Sequence, residues 1–138
     1  MQTKRVVIDT NLWISYLISD KYKFLDELII SGSIKLVFSK ELLNEFVDVA
    51  IRPKFNKYFN KEDVNSLISM FYNYGMFFEI ISNVKICRDS KDNFLLNLAI
   101  DSQADYLVTG DTDLLVISEF HSTKIIKISQ LKNLYQYK

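Results

Sequence analysis

The sequence predicts an α/β fold in three layers, with helices on both faces of a central, mainly parallel sheet of about five strands. Three observations carry this. Short unbroken apolar runs rich in β-branched and aromatic residues suit strands buried on both faces. Segments with helical spacing separate those runs, which implies right-handed crossovers. One Pro and three Gly leave no room for a linker, a repeat or a low-complexity tract.

In chain order, Val6-Val7-Ile8 is the first strand, and Leu12 to Ile18 and Phe24 to Ile30 have helical spacing. Leu36-Val37-Phe38 is the second strand. The helix from Lys40 to Ile51 must stop where Pro53 follows Arg52, because the residue before a proline is pushed out of the helical region. A helix over Glu62 to Tyr74 precedes a weaker strand, Phe77-Phe78-Glu79-Ile80-Ile81. Asp92 opens a helix running to Ser102, and Tyr106-Leu107-Val108 and Ile125-Ile126 complete the sheet.

The chain has 138 residues, 49% of them hydrophobic, which fits one domain over residues 1–138 with a core large enough to fold alone. No apolar run approaches the roughly 20 residues of a membrane span, and the start of the chain is too short in apolar residues for a signal-peptide core, so a cytoplasmic protein is expected. Seventeen basic and seventeen acidic residues cancel, so a nucleic-acid partner has to be held by a local patch. A lone His121 and a lone Cys87 give little support to zinc, thiol or Ser-His-Asp chemistry.

The carboxylates are more informative. In an open parallel sheet, ligands bind beyond the carboxyl ends of the strands. Asp9 ends the first strand, and Asp111 and Asp113 follow Tyr106-Leu107-Val108 through Thr109 and Gly110. One acid at a strand end can simply cap the next helix; two strand ends carrying Asp shift the balance. At about 100° per residue, Leu42, Leu43, Phe46, Val49 and Ala50 share one arc of their helix, with Glu45 at its margin. Asp92 shares a face with Leu96 and Ala99 and should point inward. Asp89 resembles a helix N-cap that Asp92 would complete, whereas Asp101 lies on the opposite side and reads as structural or solvated. Converging carboxylates repel: at 4 Å and an effective dielectric of about 20, each pair costs on the order of 4 kcal/mol. Against a total stability of roughly 5–15 kcal/mol, several such pairs require protonation or a divalent cation. Oxygen ligands without His or Cys favour Mg²⁺ or Mn²⁺.

Several stretches in order match a known family: Val7-Ile8-Asp9-Thr10-Asn11, Glu45, Ile51-Arg52-Pro53-Lys54-Phe55, the run from Cys87 to Leu95, and the run from Ala104 to Leu115. Together they span nearly the whole chain, and the chain resembles PIN-domain proteins, of the kind found as toxins of prokaryotic toxin–antitoxin modules. The resemblance implies a metal-dependent ribonuclease with Asp9, Glu45, Asp92 and Asp111 as the acidic quartet and Mg²⁺ or Mn²⁺ as cofactor. Asp113 also looks like an acid of that site and a metal ligand. Asn11 and Thr109 occupy positions where the family has a polar residue orienting the site. The expected roles are anchoring of the metal or metals by Asp9, Asp92 and Asp111, and binding or activation of the attacking water by Glu45.

Arg52, Lys54 and Lys57, interleaved with Phe55, Tyr58 and Phe59, form a candidate RNA-binding patch; a solvated connection with core or dimer aromatics is the simpler reading. Single-stranded or looped RNA is the expected target. The aromatic stretch from Phe71 to Phe78 exceeds what one helix face buries, which favours core packing first and a homodimer contact second. An antitoxin would be a separate chain. The alternative function is a catalytically inactive PIN-fold module binding RNA or a partner. A response-regulator receiver or phosphatase lacks its required acids here, since residue 11 is Asn where Asp-x-Asp would need a second Asp.

Overall fold

The computed structural model describes residues 2–136. The apolar runs pair into a sheet of six strands, β1 (Lys4–Ile8), β2 (Ile34–Phe38), β3 (Gly75–Phe77), β4 (Tyr106–Val108), β5 (Glu119–Phe120) and β6 (Thr123–Ile126), in the order β3-β2-β1-β4-β6-β5. Every neighbouring pair is parallel except β5–β6. Val6 stands opposite Leu36 on one side and Tyr106 on the other, and Val6, Val7, Ile8, Leu107 and Val108 are buried, as parallel strands covered on two faces require.

Seven helices connect or follow the strands: α1 (Thr10–Ile18), α2 (Phe24–Ile30), α3 (Lys40–Ala50), α4 (Lys61–Tyr74), α5 (Asn93–Ser102), α6 (Thr112–Leu115) and α7 (Ile128–Tyr135). Right-handed crossovers put the connections β1→β2 and β2→β3 on one sheet face, and α5, which returns the chain to β4, on the other. The layers are therefore α/β/α. Local chemistry sets the helix ends. The Ser39 hydroxyl accepts from the Leu42 amide at 3.1 Å to start α3, which ends with Ile51 as its C-cap and gives way to a short turn of 3₁₀ helix over Pro53–Phe55. A reciprocal capping box between Asn60 and Asp63 opens α4.

On the first face, Phe71 of α4 is fully buried against Trp13, Phe38 and Phe46, with ring centroids 4.8, 4.3 and 5.4 Å away. One aromatic thus ties α1, β2, α3 and α4 together. On the second face, Leu95, Leu96, Leu98 and Ala99 of α5 are buried. Of the remaining aromatics in the Phe71–Phe78 stretch, Tyr72, Tyr74 and Phe77 stay exposed. Among the described residues no helix is long and apolar enough to cross a membrane.

The strand expected over Phe77 to Ile81 is displaced. It occupies Gly75–Phe77, and the amide of Phe78 makes the last bond to β2, to the Phe38 carbonyl at 2.8 Å. Side chains of α5 then capture the chain. Asp101 accepts from the Ile81 and Ser82 amides at 2.6 and 2.9 Å and from the Ser82 hydroxyl. Asn97 takes both the amide and the carbonyl of Val84. The early start at Gly75 follows from close packing against α4: an added Cβ there would meet the Phe71 carbonyl at 2.4 Å and the Phe38 ring at 3.2 Å. The sixth strand, β5, has two residues and turns back through Ser118 and His121, both at positive φ, too short a unit for any period to register. The four-residue α6 escapes a periodicity reading for the same reason.

Gly75→Ala should therefore cost about 1–3 kcal/mol by overpacking, read as a lowered thermal unfolding midpoint. An unchanged midpoint would show that α4 and β2 can part to admit a methyl group.

Candidate active site

β1 continues to β2 and β3 on one side and is flanked by β4 on the other, so the strand order reverses between β1 and β4. Open α/β sheets place their ligand crevice beyond the strand ends at such a switch point. The Asp9 amide donates to the Val108 carbonyl at 3.0 Å, fixing the end of β1 to the end of β4. Thr109 then bridges the two: its hydroxyl donates to Asp9 Oδ2 at 2.7 Å and accepts from the Asp111 amide at 3.0 Å. Asp111 Oδ1 accepts in turn from the Asp113 amide at 2.8 Å, which caps α6.

Asp9 stands at the N-cap position of α1, yet its side chain makes no capping bond to that helix. Capping alone does not account for it. The next residue, buried Thr10, donates its hydroxyl to Glu45 Oε1 at 2.5 Å, which fixes the half-buried Glu45 of α3 against the start of α1. Thr10 was not singled out in the sequence, because one hydroxyl beside an acid has no distinctive pattern.

Asp92 ends a turn of 3₁₀ helix, Ser90–Asp92, and sits at the N-cap of α5 without a capping bond. The capping arrangement expected with Asp89 is only half formed. The Asp89 side chain accepts from the Lys91 amide, while Asp92 Oδ2 is buried with no hydrogen-bond partner. Burial, followed by the adjoining Asp111 carboxyl and the negative charges of Asp9 and Asp89, pushes the Asp92 carboxyl up to about 7. Burial also raises Asp9, against the bond from Thr109, with Glu45 and Asp111 adding to the rise. Asp9 thus feels Glu45 and Asp111, and Asp92 feels Asp111 and Asp9, so the four carboxyls are electrostatically linked. Burial and the nearby Asp92, Asp111 and Asp113 push the Cys87 thiol up, away from thiolate chemistry. Asp101 is different: burial raises it, but the Ser82 hydroxyl and the Ser82 and Ile81 amides outweigh this and hold it low, as suits a structural clamp.

The donor set suits a hard divalent ion. It is all oxygen, and one buried carboxyl oxygen lacks any donor. Among the described residues, no three Asp, Glu, His or Cys side chains already form a metal-binding cage. Asp113 is paired instead with a cation, bound through Oδ1 to Arg88 Nε and Nη2 at 3.0 and 2.9 Å. The side chain of Asn11 is exposed on α1. Arg52, Lys54 and Lys57 are exposed in the connection between α3 and α4, where Lys54 and Lys57 lie over the neighbouring rings of Phe55 and Tyr58. Phe59 of that segment is core. Because α4 feeds directly into the start of β3, its N-terminus and this basic connection lie toward the carboxyl-end side of the sheet.

The raised Asp92 carboxyl has a sign that can be checked. An unfolded Asp titrates near about 3.9, so between there and the folded value of about 7 the native state retains a proton the unfolded chain has lost. Stability in EDTA should decline as pH rises across that window and level off above it. Urea unfolding at pH 5 and pH 8 should show a smaller decline for Asp92→Asn than for wild type. Equal declines in the two proteins would exclude Asp92 as the source.

Uncharacterized protein MJ1680 of Methanocaldococcus jannaschii is 33% identical over 131 residues, covering 92% of this chain and 82% of that protein. The PIN domain of human SMG5 superposes with a TM-score of 0.52 at 12% identity, over 96% of this chain and 99% of that one, a likeness of fold alone. The PIN-domain profile matches residues 5–113, from β1 to the acids after β4. The chain belongs to the PIN-domain family, whose members are generally nucleases.

Proposed function

We propose that this protein is an Mg²⁺- or Mn²⁺-dependent endoribonuclease that hydrolyses phosphodiester bonds of single-stranded or looped RNA. The observation that carries the reading is the buried, donorless Oδ2 of Asp92 beside Asp111 and Asp9 at the β1/β4 switch point. Asp9, Asp92 and Asp111 are the carboxylates that would hold the cation. When bound, a divalent ion supplies charge neutralisation at the phosphate and a lowered pKa for a coordinated water.

The chain's own groups do the rest. Thr109 orients Asp9 through Oδ2, and the Asp113 amide orients Asp111 through Oδ1. Thr10 holds Glu45 through Oε1, keeping its other oxygen available to align the attacking water and accept its proton. Water adds to phosphorus with loss of its proton to Glu45, the P–O bond to the leaving ribose oxygen breaks, and that oxygen takes a proton from solvent as Glu45 releases its own to solvent. Arg52, Lys54 and Lys57 guide the RNA backbone toward the acids.

The role of toxin in a toxin–antitoxin pair, with a separate antitoxin chain, is a finer assignment supported only by the family resemblance. A homodimer through the exposed Tyr72, Tyr74 and Phe77 is supported by their exposure. A catalytically inactive binding module is the second reading. It is favoured by the absence of a preformed acid cage among the described residues and by the pairing of Asp113 with Arg88.

An RNA cleavage assay with Mn²⁺ and with EDTA separates the two. Cleavage should require the metal and fall more than about 100-fold in Asp9→Asn and Asp92→Asn with the fold retained. Thr10→Val and Thr109→Val, which act on ligands at one remove, should cost about 10- to 100-fold. Metal-independent cleavage, or wild-type rates in Asp9→Asn, would defeat the assignment.

A further inference from the structure

Among the described residues a single side-chain ion pair forms, between Arg88 and Asp113. It lies at the acidic rim: the Asp113 amide that holds Asp111 Oδ1 belongs to the same residue that receives the guanidinium. Two properties of this pair stand out. First, the guanidinium is poorly committed. Its Nε and Nη2 address one oxygen of Asp113, where a matched fork would engage both carboxylate oxygens, and the Arg88 side chain is 86% exposed against 22% for Asp113. An exposed pair of this kind holds its partners only weakly.

Second, the root of the arginine is fixed. The preceding residue, Cys87, is buried; its amide donates to Asn93 Oδ1 at 2.9 Å and its sulfur rests on the Asp113 carbonyl at 3.8 Å. Three residues further back, Asn97 holds both backbone groups of Val84. A long cationic side chain on an anchored backbone, loosely paired and fully accessible, is suited to exchanging its anion. The anion it matches best is a phosphodiester, whose two non-bridging oxygens fit the guanidinium fork. The need is real, because the acids repel the polyanion they are read to cleave.

We propose that Arg88 is a phosphate clamp: its guanidinium leaves Asp113 and takes the backbone phosphate of single-stranded RNA at the acidic rim, with Asp113 as its resting partner. This deepens the ribonuclease reading and rests on it. It adds a substrate-positioning residue outside the acidic quartet and outside the Arg52–Lys57 segment.

The test is binding of a short fluorescein-labelled single-stranded RNA, followed by anisotropy in EDTA over a series of KCl concentrations. Arg88→Ala should weaken binding several-fold and flatten the slope of log affinity against log salt by about 0.7, the loss of one phosphate contact, while Arg88→Lys should retain the slope. Asp113→Asn should tighten binding, and that gain should disappear in the Arg88→Ala/Asp113→Asn double variant. In the cleavage assay, Arg88→Ala should raise KM more than it lowers kcat.

Wild-type affinity and slope in Arg88→Ala, with wild-type cleavage intact, would overturn the clamp and leave the ribonuclease reading standing. Equal weakening by Arg88→Ala and Asp113→Asn, with lowered unfolding midpoints in both, would overturn it in favour of a clip for the Asp111–Asp113 turn. A wild-type protein that neither binds nor cuts RNA would sink both.

Discussion

The constraint on which the site depends is a backbone hydrogen bond between neighbouring strands. The Asp9 amide to Val108 carbonyl bond joins the ends of β1 and β4, so residues about a hundred positions apart are held together by main chain. Val6, Val7, Leu107 and Val108 behind it are completely buried. Side chains that repel one another would separate if they hung from loops. Here they project from the end of a closely packed parallel ladder, which has few ways to relax.

Of the four acids Glu45, Asp9, Asp111 and Asp92, all but one have a neutral donor assigned to them. Thr109 serves Asp9, Thr10 serves Glu45 and the Asp113 amide serves Asp111. Hydroxyl and amide donors orient a carboxylate without cancelling its charge, unlike a lysine or arginine. Asp92 is the exception, and its raised carboxyl is the electrostatic result. The one guanidinium in the neighbourhood is spent on Asp113 and not on this group. Among the described residues the ion pair therefore lies at the margin of the site, and the carboxyls at its centre have no cationic partner.

How much of this can be read from sequence depends on whether the signal is periodic. Val6-Val7-Ile8, Leu36-Val37-Phe38 and Tyr106-Leu107-Val108 announce themselves because both faces are buried, and the acids that follow two of them inherit their positions from the topology. Glu45 could be placed at the margin of its helix by counting turns. What escapes is set by contacts between distant residues. Gly75 begins a strand because α4 and β2 leave no room for a Cβ. The ladder stops after Phe78, despite the apolar pattern that follows, where Asp101 takes the Ile81 and Ser82 amides and Asn97 that of Val84. Thr10 and Arg88 matter through partners 35 and 25 residues away, and no local pattern encodes such separations.

The stretch between β3 and the Asp92 turn has no regular structure of its own, yet its course is dictated from outside. Asp101, Asn97 and Asn93 bind its backbone groups at Ile81, Ser82, Val84 and Cys87, while Asn83, Lys85 and Ile86 face solvent. The instructions for that path are thus written on α5, at intervals of four residues along a single helix. Those outward positions are free to drift in evolution without moving the acids, whereas an exchange at Asn93 or Asn97 would misroute a segment in which neither residue lies.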